Sequence, residues 1–97
     1  MNLSGKQKKY LRGLAHGLKP IVHVGRGGLT DGVVTQLDTA LTDHELVKLR
    51  FGGGFDDDRD DALGRLVERT GSQIAGTIGH TAVFYRAHPE EPEIRLP

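Results

Sequence analysis

The hydrophobic residues of this chain change their spacing repeatedly, from a helical period to short β-branched or alternating runs and back. A helix buries a stripe of residues three or four apart, whereas a half-buried strand buries every second residue. The order of elements that follows is α-β-α-β-α-β-β, which is typical of an α/β domain with a mixed four-stranded sheet, parallel through its βαβ units and antiparallel at the end. The sequence predicts helices at about 4–16 and 30–42, a third helix from the acidic run 56–61 to a stop at Gly71, and strands at 21–24, 46–51, 73–78 and 81–86.

Residues at the predicted boundaries support these elements. Ser4 followed by Gln7 fits a capping box, and Thr30 can cap the second helix. The pair Gly79-His80 suits a two-residue turn between the last two strands. Because crossovers between parallel strands are right-handed, we expect the second and third helices to cover the apolar face of the sheet.

Composition favours one small domain without covalent crosslinks. A chain of 97 residues with 36% hydrophobic content can form one core, so we predict a single domain at 1–97, with 87–97 and its three prolines as an extended tail. Cysteine is absent, which excludes disulfides, thiolate zinc sites and cysteine nucleophiles. The apolar runs are too short for a signal peptide or a membrane span, so we expect a cytoplasmic protein without membrane contact.

The formal net charge of zero conceals an asymmetry between the two halves of the chain. Residues 1–50 carry eight Lys or Arg and four acidic side chains, whereas residues 51–97 carry five and nine. A basic half can face a polyanion such as a nucleic acid, although inert proteins also show such asymmetry.

The sequence Gly25-Arg26-Gly27-Gly28, between the first strand and the second helix, is the main candidate site. Glycines let backbone N–H groups approach a phosphate closely, and the start of the following helix favours an anion. Arg26 adds a mobile cation at the same place. KH domains clamp a nucleic-acid backbone with a GxxG loop ahead of a helix. The loop is consistent with phosphate binding, although a structural turn is the simpler interpretation of the motif taken alone.

Two further groups of cations lie on predicted elements. On a helical wheel, one group falls opposite the leucine stripe of the first helix (Leu11, Leu14, Leu18) and consists of Lys6, Lys8, Lys9 and Arg12. Lys48 and Arg50 alternate with the apolar residues of the second strand and therefore share one sheet face. Either group can contact phosphates or be an ordinary solvated surface.

The remaining candidates for chemistry do not form a site. The loop lacks the Lys-Ser/Thr of a Walker A sequence and the third glycine of a dinucleotide fingerprint. The acidic run is a poor calcium loop, because Asp61 stands where glycine is needed and Val67 where glutamate is needed. The five histidines include no HxxxH pair, and Ser4 and Ser72 have no nucleophile context. We therefore expect no catalytic residue, metal, cofactor or small-molecule substrate.

Ordered motifs span the whole chain. They are Leu3-Ser4-Gly5-Lys6-Gln7-Lys8, Leu14-Ala15-His16, Lys19-Pro20-Ile21-Val22, Gly28-Leu29-Thr30, His44-Glu45-Leu46-Val47-Lys48, Thr70-Gly71, Ile78-Gly79, Val83-Phe84-Tyr85-Arg86 and Ile94-Arg95-Leu96-Pro97. In this order they resemble the CRM domain family, and in particular its YhbY-like stand-alone bacterial members.

The resemblance implies a fold similar to the C-terminal domain of translation initiation factor 3. It also implies a non-catalytic protein that binds RNA, with ribosomal RNA in precursors of the large ribosomal subunit as the expected partner. The family's RNA contact is attributed to the GxxG loop and nearby basic residues. This carries over to Gly25, Arg26, Gly27 and Gly28, and to the helix 1 lysines Lys6, Lys8 and Lys9. We also predict that Thr30, Arg12 and Lys48 contact RNA.

The acidic run 56–61 and the neutral charge depart from the basic character expected of an RNA-binding protein. An alternative function is therefore a protein-interaction adaptor on assembling ribosomes, which would place the acidic third helix against a basic ribosomal protein.

Overall fold

The computed structural model describes residues 2–97; residue 1 of the predicted domain lies outside the described residues. The described residues form three helices and four strands in the predicted order, with boundaries within a few residues of those predicted. The elements are α1 (Gly5–Ala15), β1 (Val22–Val24), α2 (Asp31–His44), β2 (Leu46–Phe51), α3 (Arg59–Thr70), β3 (Gln73–Ile78) and β4 (Thr81–Tyr85).

Local capping explains where the helices begin and end. At α1, the amide of Gln7 donates to the Ser4 hydroxyl at 3.1 Å and the amide of Ser4 donates to Gln7 Oε1 at 3.0 Å, which completes the predicted capping box. The Thr30 hydroxyl accepts from the amide of Val33 at 3.2 Å and caps α2. The C-cap of α3 is Gly71, whose φ of 67° lies in the left-handed region.

The sheet order is β1-β2-β4-β3, so the predicted mixed four-stranded sheet is confirmed. Only β1 and β2 pair in parallel, however, because β4 lies between β2 and β3 and is antiparallel to both. The expectation of parallel pairing through both βαβ units was therefore wrong for the second unit. Residues 82–85 of β4 are all buried, and a strand that is apolar on both faces belongs at the centre of a sheet.

Helices α2 and α3 cover one face of the sheet, as the crossover rule predicted. Their buried residues, including Leu37, Leu41 and Leu66, pack with Val47 and Phe84 in the larger hydrophobic cluster. The side chain of Arg86 joins these layers at the end of β4. Its guanidinium donates to the Asp38 carboxylate at 2.6 Å, the Thr70 carbonyl at 2.7 Å and the Thr42 hydroxyl at 2.9 Å.

Helix α1 packs on the opposite face of the sheet, where Leu11 and Ala15 join Val83 and Tyr85 in a second cluster. The predicted leucine stripe was only partly right. Leu11 is fully buried, but Leu14 and Leu18 are 42% and 41% exposed. The sheet contacts the narrow line through Leu11 and Ala15, so the next leucines lie beside the contact instead of within it.

The residues after β4 contain no helix or strand and fold back against α1. Glu45 holds this tail. Its buried carboxylate accepts backbone N–H bonds from His88 at 2.7 Å, Glu93 at 2.9 Å and Ile94 at 3.0 Å. Glu45 also has a φ of 60°, in the left-handed region. This conformation strains the backbone of a glutamate, because it suits glycine and residues with short polar side chains such as asparagine and aspartate. Ile94 and Leu96 then pack against the α1 cluster.

Candidate nucleic-acid interface

The GxxG loop is a tight turn at the carboxyl end of β1. The amide of Gly28 donates to the carbonyl of Gly25 at 3.0 Å, and the amide of Thr30 donates to the carbonyl of Gly28 at 3.1 Å. Gly28 has a φ of 69°, a left-handed conformation that glycine adopts without strain. The turn therefore leads directly into the capped N-terminus of α2.

A second glycine-rich loop braces this turn. The amide of Gly52 donates to the carbonyl of Val24 at 2.7 Å, and a Cβ on Gly54 would lie 3.1 Å from Cβ of Arg26 and 3.2 Å from its backbone nitrogen. The absence of a side chain at Gly54 therefore lets the two loops pack closely.

The loop presents groups suited to an anion. Arg26 is exposed, and the amides of Arg26 and Gly27 have no hydrogen-bond acceptor among residues 2–97. Free amides beside a helix N-terminus attract phosphate through partial positive charge. The first turn of α2 also contains Asp31, whose carboxylate lies 3.3 Å from Arg69 of α3. Arg69 is exposed, so solvent weakens this pair and its shielding of Asp31.

The acidic run lies directly beside the GxxG loop, which the sequence did not predict. A Cβ on Gly28 would lie 3.3 Å from a carboxylate oxygen of Asp57. A polar cavity of about 330 Å³ separates Gly27 and Gly28 from Asp57, Asp58 and Asp61. Arg65 also lines this cavity and pairs with Asp61 at 3.2 Å, but the carboxylates outnumber it. The electrostatically favoured approach of a phosphate to the loop is therefore from the side of Arg26, away from α3.

Aromatic packing fixes the acidic run in this position. The rings of Phe51 and Phe55 are 4.8 Å apart, and the guanidinium of Arg59 lies 5.5 Å from the centre of the Phe51 ring. Phe51 ends β2 and Arg59 begins α3, so these contacts hold the connection between them against the loop end of the sheet. The Asp58 side chain caps α3 by accepting from the amide of Asp61 at 3.1 Å.

The helix 1 cations do not lie with the loop. Lys6, Lys8 and Lys9 are exposed, but the amide of Leu3 donates to Gln73 Oε1 at 2.8 Å, which fixes the start of α1 near the start of β3. β1 and β3 are opposite edge strands, and three strand spacings amount to about 14 Å. The loop is also at the other end of the strands, so a ligand that contacts both groups must cross the sheet diagonally.

Arg12 differs from the three lysines, and its predicted place on an open basic face was wrong. Its guanidinium donates to the carbonyl of Ala75 at 2.9 Å, and its side chain is only partly exposed. The stem of this side chain lies over Gly76, where a Cβ would come within 2.5 Å of Arg12 Cδ. A helical wheel shows only the angle of a residue around the helix axis. It could not predict that β3 would place the Ala75 carbonyl and the side-chain-free Gly76 beside Arg12.

Lys48 and Arg50 share one face of the sheet, as their alternation predicted, and α1 packs on that face. The ammonium of Lys48 donates to the carbonyl of Leu18 at 3.1 Å. Arg50 is exposed and stands opposite His23 in the β1–β2 register, two residues before Gly25. Sequence analysis grouped Arg50 with Lys48 from the strand alternation but assigned only Lys48 to the RNA contact, and it did not single out His23. Arg50 and His23 both lie closer to the loop than Lys48 does.

Other kinds of site are not found in the part of the chain that the structure describes. Its residues include no group of three or more side chains placed to hold a metal ion. None of its helices has the length and apolar character needed to cross a membrane.

The chain is similar to known proteins in both sequence and fold. The model of the CRS1 / YhbY (CRM) domain matches residues 3–86. Probable RNA-binding protein YqeI of Bacillus subtilis is 41% identical over 95 residues, which cover 98% of this chain and 99% of that protein. An RNA-binding protein of Haemophilus influenzae is 42% identical, covering 98% of this chain and 95% of that one. The solution structure of the hypothetical protein SAV1595 from Staphylococcus aureus has a TM-score of 0.82 at 40% identity, covering 99% of this chain and 100% of that one.

The chain is thus an α/β domain that shares its fold, over nearly its whole length, with a solved protein of Staphylococcus aureus. The chain belongs to the CRS1 / YhbY (CRM) family, and the resemblance seen in its motifs is confirmed.

Proposed function

We propose that this chain is a non-catalytic, cytoplasmic RNA-binding protein that docks structured RNA through the phosphate backbone. The observation that carries the proposal is the exposed Arg26 beside the unengaged amides of Arg26 and Gly27, at the capped start of α2. The relatives named RNA-binding proteins support the same partner. Phosphate contacts position an RNA without reading its sequence, so recognition is by shape.

The RNA path that fits the charges runs from the loop onto the α1 side of the sheet. Arg26 and Arg50 lie at the loop end, and Lys48 continues the line toward α1. The exposed lysines of α1, at positions 6, 8 and 9, form a separate contact for an RNA large enough to cross the sheet. Thr30 contributes by capping α2, while Arg12 contributes mainly to packing.

The cellular partner in this proposal is ribosomal RNA within precursors of the large ribosomal subunit, which the family resemblance implies. The alternative is an adaptor that uses acidic α3 to hold a basic ribosomal protein. The acidic start of α3 borders the same cavity as Gly27 and Gly28, so a basic protein bound there would compete with RNA at the loop.

The test is a binding titration with a labelled, structured fragment of large-subunit ribosomal RNA. The double variant Arg26→Glu, Gly27→Asp puts two negative charges at the anion site and should abolish binding and co-sedimentation with large-subunit precursors. The matched control is Arg95→Ala, because Arg95 is an exposed arginine on the tail. A folded double variant with wild-type affinity would refute the loop assignment. Binding to basic ribosomal proteins but not to naked RNA would favour the adaptor.

A further inference from the structure

An apolar groove runs along the exposed edge of α1, on the side away from Arg12. Its main cavity, of about 380 Å³, is lined by aliphatic side chains that include Leu14, Leu18, Ile21, Leu46 and Ile94. Such a volume lies within the range of sites that hold ligands or side chains of a partner.

The groove is accessible and continues past Leu14. Leu14, Leu18 and Ile21 are 42%, 41% and 45% exposed, which is unusual for three adjacent large aliphatic residues in a small domain. Leu14 also lines an open cleft, of about 550 Å³, that extends to Tyr10 and Lys6. Tyr10 and Leu14 are four residues apart on α1 and so share one face of the helix, and Leu18 follows three residues after the helix ends.

The rim of the groove is positively charged. Lys19 and Lys48 line the main cavity, and Lys6 and Lys9 line its continuation. Among the described residues, neither lining includes an aspartate or glutamate. The acidic cavity at the loop has the opposite character, so the charge at the groove is a local feature of this face.

The chain's own tail covers part of this face through aliphatic side chains. The tail packs Ile94 and Leu96 against the α1 cluster, and Ile94 forms one wall of the groove. The same segment carries glutamates at positions 90, 91 and 93. An acidic segment with aliphatic anchors thus already lies against one side of α1, and the groove beside it is open.

We propose that this groove binds an acidic, amphipathic segment of another protein, which inserts aliphatic side chains between Leu14, Leu18 and Ile21 and places carboxylates near the lysine rim. RNA suits the apolar lining of the groove less well than such a segment does. Proteins bind bases by aromatic stacking and hydrogen bonds, which leucine and isoleucine side chains do not supply. A second copy of α3 is acidic, but its apolar residues Leu63 and Leu66 are buried in its own core and cannot serve as anchors. The inference does not depend on RNA binding at the loop.

The test uses a fluorescein-labelled synthetic peptide of about twelve residues with leucine at helical spacing and glutamate elsewhere, a design suited to helix-in-groove binding. Its controls are a scrambled peptide of equal composition and a version with lysine in place of glutamate. Methyl NMR of the full chain should show shifts at Leu14, Leu18, Ile21 and Ile94 only with the acidic, ordered peptide. Ile78, which is 50% exposed at the far end of β3, is the internal control and should not shift.

Variants separate the groove from the loop. Leu18→Ser should weaken peptide binding about tenfold, because a half-buried anchor loses its apolar contacts, whereas Ile78→Ser should leave it unchanged. Lys19→Glu should weaken binding of the acidic peptide and strengthen binding of the version with lysine in place of glutamate. Leu18→Ser should keep wild-type RNA affinity. A failure of the groove proposal can therefore be distinguished from a failure of the proposed RNA site at the loop.

Three results would overturn the inference. The first is binding of the scrambled peptide as tightly as the ordered one, or no shift at the groove residues. The second is a shift of the Leu14 and Ile94 methyls by a uridine oligonucleotide with no shift there by the acidic peptide, which would make RNA the occupant. The third is concentration-dependent dimerisation that Leu18→Ser abolishes, which would make a second copy of the chain the occupant.

Discussion

Replacement of Glu45 by glutamine should release the C-terminal tail and destabilise the domain. The carboxylate is only 5% exposed and accepts three backbone N–H bonds from the tail. Burial by itself would raise the pKa of Glu45, but these donors and the nearby His88 outweigh it, and the pKa lies below its ordinary value. The ionised form is therefore the one that the fold stabilises.

The magnitude follows from the lost contacts. A hydrogen bond to a charged group contributes about 1.5–3 kcal/mol, but a freed tail recovers hydrogen bonds to water, so we expect about 1–2 kcal/mol for Glu45→Gln and about 3 kcal/mol for Glu45→Ala. The pH dependence has a defined sign. Because the folded pKa is lowered, the contribution is complete above the ordinary glutamate pKa and declines as the pH falls through the folded value.

Urea unfolding at neutral and acidic pH measures both effects, and amide hydrogen exchange at His88, Glu93 and Ile94 reports on the tail. Glu68→Gln is the matched control, because Glu68 is an exposed glutamate on α3. If Glu45→Gln had the stability and the amide protection of the wild type at neutral pH, the proposed role of Glu45 in holding the tail would be refuted. An acid-dependent loss that is as large in Glu45→Gln as in the wild type would also refute it.

Four further results are expected. Arg26→Ala should weaken binding to structured RNA and reduce the slope of log affinity against log salt by about 0.7–0.9, measured by anisotropy at several salt concentrations; a flat salt response would exclude phosphate binding. Asp57→Asn should raise RNA affinity about two- to fivefold at low salt, because it removes a charge next to Gly28, and an unchanged affinity would show that RNA phosphates do not bind near Gly28. Arg12→Glu should cost about 1–3 kcal/mol in urea unfolding, since it leaves the Ala75 carbonyl without its donor, whereas Lys8→Glu should cost nothing measurable. Gly54→Ala should lower stability by about 1–3 kcal/mol, because its methyl group would meet the Arg26 backbone, and unchanged unfolding would contradict the close loop packing.

Features that depend on near neighbours along the chain could be predicted from the sequence. The caps at Ser4 and Thr30 and the stop at Gly71 could be predicted because a cap and its partner lie within a few residues. Strand β2 could be predicted with its two faces, because alternation is a local property of extended chain. The ordered motifs likewise identified the family, because each motif is a short run of residues adjacent in sequence.

The contacts between distant segments could not be predicted in this way. The insertion of β4 between β2 and β3, and the choice of Leu11 and Ala15 as the buried line of α1, depend on how whole elements compete for the sheet. The same holds for the candidate site. Asp57 is far from Gly28 along the chain, and the lysines of α1 are nearer in sequence to the loop, yet Asp57 is the residue beside it. Spacing along a chain measures contacts within one element, whereas the field at a site is the sum over every element that packs around it.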